Sequence, residues 1–336
     1  MEVVNFFWSI AVFLLGILAG VITGLFPGIH INLVAAGLLA SVGYFSGVAV
    51  ELLVIFVVAM AITHTFIDFI PSIFLGAPEE DSFLAVLPGH QMLKEGRGYE
   101  AIVMTLYGGV VALPIILIFS AFFVLFLADV YDFFKLVIPY VLIFISLYLI
   151  FTEEEWILSG IVFIFAGFLG MFVFSLPVKE PLLPLLSGLF GVSGLIVSLK
   201  SKSKIPRQEV GSWRSVKIGR KEFWRTTFSG AVAAPLCSFL PGIGSGHAAV
   251  LGSELNGGDK RDRKSFLFLV GMINTVVMAL SFVTIYSIGR TRSGAAVAVS
   301  ELVGKMDSEY LFLIISVVIL SGIVSFFVGV QLAKFF

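Results

Sequence analysis

Ten apolar stretches, at roughly 5–26, 31–45, 50–76, 100–128, 133–151, 156–176, 181–199, 223–253, 266–289 and 310–333, take up most of the chain. In hydrocarbon every backbone N–H and C=O must be paired within its own segment or within a closed barrel, and the ten-residue alternation of a membrane barrel is absent. The stretches therefore read as helices. A bilayer span takes about 20 residues, and some 30 with its connection, so a chain of 336 residues holds on the order of 9 to 11 crossing segments and no large extramembrane domain. The expected class is an all-α membrane protein, a polytopic helical bundle. Phe6 to Phe26 lacks a positive leading region and a small-residue cleavage site, so it is expected to be a retained first helix in the cell membrane.

Charge narrows the function classes. With 21 Lys and Arg against 22 Asp and Glu there is no general basic field, which leaves nucleic-acid binding unsupported. A single cysteine, Cys237, rules out an internal disulfide or a Cys-ligated zinc cluster, and histidines at 30, 64, 90 and 247 have no metal-binding spacing. Neither a metal nor a cofactor is expected. Basic residues gather in one connection, 200–225, where Lys200, Lys202, Lys204, Arg207, Arg214, Lys217, Arg220, Lys221 and Arg225 face only Glu209 and Glu222. By the positive-inside rule this loop is cytoplasmic. The charged segment from Leu255 to Ser265 is expected to be a solvated loop.

An internal repeat carries the functional signal. Gly16, Gly20 and Gly24 recur every four residues and lead into Phe26-Pro27-Gly28-Ile29; at an offset of 214, Gly230, Ala234 and Ser238 lead into Leu240-Pro241-Gly242-Ile243. Farther on, Val58 to Thr63 is echoed by Val270 to Thr275. The chain divides accordingly into a first transmembrane repeat (1–130), central helices (131–199), the basic loop (200–225) and a second repeat (226–336). Small residues four apart let two membrane helices approach closely. Packing does not explain why both stripes end in Pro-Gly within apolar sequence. Proline removes a donor and glycine tolerates unwound backbone, so each copy should hold a discontinuous or re-entrant helix, with the two halves inverted.

Equivalent helix breaks in two halves point to the substrate site of a secondary transporter. The half-helix after each break offers unpaired N–H groups and partial positive charge to an anion. Candidate substrate residues are thus Pro27, Gly28, His30 and Asn32 in the first copy and Pro241, Gly242, Gly244, Ser245, Gly246 and His247 in the second. The second run fits a backbone nest and matches no dinucleotide, Walker or nucleophile-elbow pattern. Thr63, His64 and Asp68, with Asn274 and Thr275 in the other copy, are polar groups in apolar helices and candidates for ion coupling. Arg290 and Arg292 stand where the first copy has Glu79, Glu80 and Asp81, and a bidentate guanidinium suits a carboxylate. Each group also has a plainer reading: a packing turn, an interhelical hydrogen bond, an interfacial pair or an exposed charge.

Together with the run Pro88-Gly89-His90-Gln91-Met92-Leu93-Lys94-Glu95-Gly96-Arg97-Gly98-Tyr99-Glu100-Ala101, the two small-residue helices and their Pro-Gly ends resemble the large membrane subunit of the tripartite tricarboxylate transporters, the TctA-type family. The resemblance covers about 16–110 and 226–304 and marks the chain as a short, divergent member. It implies a cation-driven carrier of citrate or a similar carboxylate. The implied partners are a small membrane subunit and an extracytoplasmic binding protein. A homo-oligomer is also compatible.

The expectation is therefore a secondary active transporter, not an enzyme, moving a small carboxylate such as a tricarboxylate by alternating access in symport with Na⁺ or H⁺. A carrier or flippase for a lipid-linked phosphate, an intramembrane enzyme and a non-transporting scaffold are the alternatives.

Overall fold

The computed structural model describes residues 6–45, 47–76, 82–177, 185, 196, 206–239, 244–257, 262–291 and 293–336. Among them the regular structure is entirely helical. The first half holds α1 (Phe6–Leu25), α2 (Ile31–Ala40), α3 (Val50–Ile67), α4 (Phe69–Phe74), α5 (Phe83–Lys94) and α6 (Gly98–Phe122). A π-helical turn at Phe123–Leu127 leads into α7 (Ala128–Thr152), followed by α8 (Trp156–Phe174). The second half holds α9 (Arg220–Phe239), α10 (Ser245–Leu255), α11 (Arg263–Ile288), α12 (Gly294–Val303) and α13 (Ser308–Phe335).

Among the described residues, six helical spans are long and apolar enough to cross a membrane: Phe6–Leu25, Val50–Phe74, Gly98–Val137, Trp156–Phe174, Arg263–Ile288 and Ser308–Phe335. The protein is an all-α polytopic membrane protein. Helices α2, with 10 residues, and α10, with 11, are each about 15 Å long, half a hydrocarbon core. Most of the 181–199 stretch lies outside the described residues.

The small-residue stripe does what its spacing predicts. A Cβ on Gly16 would stand 2.7 Å from the Phe56 carbonyl, one on Gly20 2.5 Å from that of Met60, and one on Gly24 2.8 Å from the Ile67 Cβ. Contact numbers on α1 and α3 rise together, so the two helices run parallel, and α2 with the short turn after it must carry the chain back between them. The second half repeats this path. Phe223 meets Phe268 with ring centroids 5.6 Å apart, Gly230 faces Leu269 and Met272, and Asn256 at the end of α10 donates to Thr226 near the start of α9 at 3.2 Å.

Across the halves, α3 runs parallel to α13, with Thr63 on Ser325 and Ile67 on Gly329. In the same way α6 runs parallel to α11, with Glu100 on Lys264 and Thr105 against Gly271. The pair α6 and α13 is antiparallel, since Leu106 covers Gly329 and Leu113 covers Gly322. The long-helix pairs of the two halves correspond, α1–α3 with α9–α11 and α3–α13 with α6–α11, but the short helices do not: α10 packs on α9, whereas α2 packs chiefly on α12. Helices α3 and α11 are buried, whereas α8 presents Phe163, Phe165, Phe168 and Phe172 outward, as a lipid-facing helix does.

Candidate functional site

The chain breaks at the first Pro-Gly. After α1 ends at Leu25, Gly28 takes a φ of +98°, where a side chain would be strained, and α2 starts three residues later. The new N-terminus needs acceptors for its free N–H groups. His30 is its N-cap, and its Nδ1 accepts the Asn32 N–H at 3.2 Å. Asn32 in turn reaches the other half: its Oδ1 accepts the Ala295 N–H of α12 at 3.2 Å. The first turn of α12 is thus capped twice, by Asn32 and by its own Ser293, whose Oγ accepts the Ala296 N–H.

Residues 26–29 of the break are exposed, and the helix leading into it ends level with the buried Asp68. Gly24 faces Ile67 and the Asp68 nitrogen, and Asp68 bonds to Asn274, about halfway along the 26-residue α11. At this level several polar groups from both halves converge inside apolar surroundings. Asp68 (1% exposed) accepts from the Asn274 Nδ2 at 3.0 Å. His64 Nδ1 bonds the Thr23 hydroxyl at 3.1 Å, and the His64 ring meets the His30 ring edge-on with centroids 5.5 Å apart. Thr65 and Thr275 join hydroxyls at 3.3 Å, and the Ser325 hydroxyl donates to Thr63 at 2.9 Å. Asp68 also ends α3 and leads directly into α4, and the Ser72 hydroxyl donates to the Asp68 carbonyl at 2.8 Å.

Thus Thr63, His64, Asp68, Asn274 and Thr275 gather with His30 around the first break. Buried polar side chains in apolar helices are costly unless bonded or used, and these are drawn from α3, α11 and the N-cap of α2. Thr23, Ser72 and Ser325 belong to the same network and were not among the sequence candidates. Thr23 sits beside Gly24 in the stripe, and Ser325 lies between Gly322 and Gly329, so both look like packing residues in the sequence.

In the second copy, α10 begins at Ser245 after Gly244, and the Gly244 N–H donates to the His247 Nδ1 at 3.2 Å. Both half-helices therefore have a histidine Nδ1 at the first turn accepting a backbone N–H. Ser245 is buried, and Gly246 packs on the Phe83 ring of α5, where a Cβ would come within 2.8 Å. Pro241, Gly242 and Arg292 lie outside the described residues, as do Glu79, Glu80 and Asp81. Arg290 is exposed beyond the end of α11, with its guanidinium 5.6 Å from the centre of the Tyr131 ring. Among the described residues no cluster of three or more His, Cys, Asp or Glu is arranged to hold a metal.

The run Pro88–Ala101 serves a second purpose. The Glu95-Gly96-Arg97 turn is an ionic junction: Arg97 pairs with Glu100 at 2.7 Å, Arg263 with Glu95 at 2.7 Å and Lys264 with Glu100 at 2.5 Å. Arg263 and Lys264 do not lie in a solvated loop; they open α11, whose N-cap Asp262 accepts the Ser265 N–H at 3.3 Å. The hydrogen bond from Arg263 holds the Glu95 carboxyl below its ordinary value, and Glu100 raises Arg97. The basic linker docks here too. Glu209 N–H donates to the Gly96 carbonyl at 2.8 Å, and Gln208 both accepts from the Gly98 N–H and donates to the Leu93 carbonyl. Arg220 to Arg225, expected in a loop, form the first turns of α9.

A helix broken at Pro27-Gly28, with polar side chains from both halves meeting inside the core, belongs to a multispanning membrane protein. The family model described as "Tripartite tricarboxylate transporter TctA family" matches residues 10–336. The chain belongs to that family, a family of transport proteins whose systems are tripartite. It is also 34% identical over 296 residues to the uncharacterized protein MJ1079 of Methanocaldococcus jannaschii, covering 86% of this chain and 72% of the relative. No solved structure matches.

Proposed function

We propose that this protein is a secondary active transporter that moves a small carboxylate anion, such as a tricarboxylate, by alternating access in symport with Na⁺ or H⁺. The carrying observation is the hydrogen bond between Asp68 and Asn274, a carboxylate of one half held by an amide of the other within the apolar core. In this reading Asp68, His64 and the Thr65–Thr275 pair take the coupling cation or proton, for which oxygen and imidazole ligands at mid-depth are suited. The half-helix N-termini of α2 and α10 take the carboxylate, with His30, Ser245 and His247 as side-chain donors.

Two features support an inverted arrangement of the halves. Helices α1 and α3 run in one direction and their counterparts α9 and α11 in the other, while α6 is antiparallel to α13. Such a pair of halves offers two related states, open to opposite sides of the membrane. The charge of the 206–225 linker favours the cytoplasm for the face bearing Glu95 and Arg97. A small membrane subunit and an extracytoplasmic binding protein are the partners this reading requires.

The test is uptake of labelled citrate and other di- and tricarboxylates into proteoliposomes under an imposed Na⁺ or proton gradient. Gradient-dependent accumulation is expected. Absence of accumulation across the carboxylate panel, with and without partner subunits, would refute the proposal.

A further inference from the structure

We infer that the two bodies that move against each other are not the two sequence halves. One body consists of α1, α2, α3, α12 and α13; the other consists of α5, α6, α9, α10 and α11. Each body takes three helices from one half and two from the other. The inference rests on the transport reading above and specifies its moving parts.

The distinction comes from how the helices touch. Between α6 and α11 the contact is backbone on backbone: a Cβ on Gly108 would meet the Phe268 carbonyl and stand 2.6 Å from the Met272 nitrogen, and one on Gly271 would run into the Thr105 carbonyl. Glycine on both sides leaves no side chain to yield, so sliding would drive one main chain into the other. The same seam is fastened at its end by Arg263 on Glu95 and Lys264 on Glu100. In the other body, Gly16 and Gly20 set α1 against the α3 backbone at Phe56 and Met60, while α12 and α13 are placed with it by the Asn32 cap and the Ser325–Thr63 bond and, among the described residues, by no apposed backbones.

Contacts between the bodies are of a different kind. Helix α3 meets α6 through the Phe66 ring over Gly109, and α6 meets α13 through Leu106, Leu113 and the stacked Tyr107 and Phe326 rings. Helix α3 meets α11 through two side-chain hydrogen bonds, Asp68 to Asn274 and Thr65 to Thr275. Side chains can change rotamer and exchange partners, whereas apposed backbones cannot. The polar cluster therefore sits on the seam that opens. Asp68 marks the junction of α3 and α4 beside that cluster, and α4 packs on α5 of the opposite body through Ile73 against Gly89.

Two cysteine pairs separate exchanged bodies from sequence halves. Glu100→Cys with Lys264→Cys joins α6 to α11, across the halves but within one body. Phe66→Cys with Gly109→Cys joins α3 to α6, within one half but across the bodies. With a short, reductant-cleavable bis-maleimide in proteoliposomes, the first link should leave citrate uptake within about twofold of the unlinked variant. The second should abolish uptake until the link is cleaved, and recovery on cleavage shows that the variant is folded. Block by the first link with tolerance of the second would overturn the inference.

Spin labels on the same pairs give a reading that does not need uptake. One distance is expected for the α6–α11 pair and two for the α3–α6 pair. A single α3–α6 distance together with a split α6–α11 distance would also overturn the inference. Protein without uptake that still gives the expected distances would support these bodies and count against the transport reading alone.

Discussion

Asp68 of the first half and Asn274 of the second are joined by a 3.0 Å hydrogen bond within a core that is mostly aliphatic and aromatic. Removing one partner leaves the other buried without that bond, a loss of about 1–3 kcal/mol. Asn274→Ala should lower the thermal midpoint measured by tryptophan or dye fluorescence in detergent. Asp68→Asn keeps an acceptor toward Asn274 but removes the carboxyl. It should stay close to the parent in stability and lose gradient-driven uptake.

The two kinds of glycine near the first break should respond differently to alanine. Gly20 has no room, since its Cβ would meet the Met60 carbonyl and the Thr63 Cβ at 2.5 Å, so Gly20→Ala must push α1 off α3. Overpacking of this kind costs about 1–3 kcal/mol. Gly28 has open space around it and a φ of +98°, so Gly28→Ala carries only backbone strain, about 1–2 kcal/mol. Thermal unfolding should show the larger loss for Gly20→Ala, and Gly20→Val should fail to fold where Gly28→Val still does.

His30 caps α2 through its Nδ1, a role that asparagine fills well. His30→Ala should cost about 1 kcal/mol and His30→Asn much less. If His30 also donates to the anion through its ring, His30→Asn should raise the apparent KM for carboxylate while leaving the thermal midpoint nearly unchanged. Equal loss of stability in both variants would show that the cap is not its structural role.

The ionic junction gives a pH signature. Because Arg263 depresses the Glu95 carboxyl, the stabilisation is present above the ordinary value of 4.5 and is lost as pH falls through the lower folded-state value. The thermal midpoint of the parent should therefore decline below about pH 4.5, and that of Glu95→Gln should decline less over the same window. High salt should narrow the difference between them at neutral pH, since the pair is partly exposed.

Several features can be read from sequence because they rest on short-range rules. The Gly16-Gly20-Gly24 stripe has one helical face, and Pro27-Gly28 disfavours a continued helix, so a close seam on α1 and the first break follow from local pattern, whereas the identity of α3 as the partner does not. Asn32 is a polar residue at depth by sequence, but that its partner is Ala295 follows from the tertiary meeting of α2 and α12. Arg263 and Lys264 look like solvated charges because their partners, Glu95 and Glu100, lie about 165 positions earlier. Ser325 and Thr23 are indistinguishable from ordinary packing residues until α13 and α1 are brought against α3. Long-range pairing, not helix formation, is the information a single sequence withholds here.

The most direct measurement compares the parent protein with Asp68→Asn and Asn274→Ala for gradient-driven uptake of labelled carboxylates in proteoliposomes, with thermal midpoints recorded on the same preparations. The account predicts accumulation by the parent, none by folded Asp68→Asn and reduced accumulation by Asn274→Ala. Full accumulation by Asp68→Asn would contradict it, because the carboxyl at the seam would then have no part in transport.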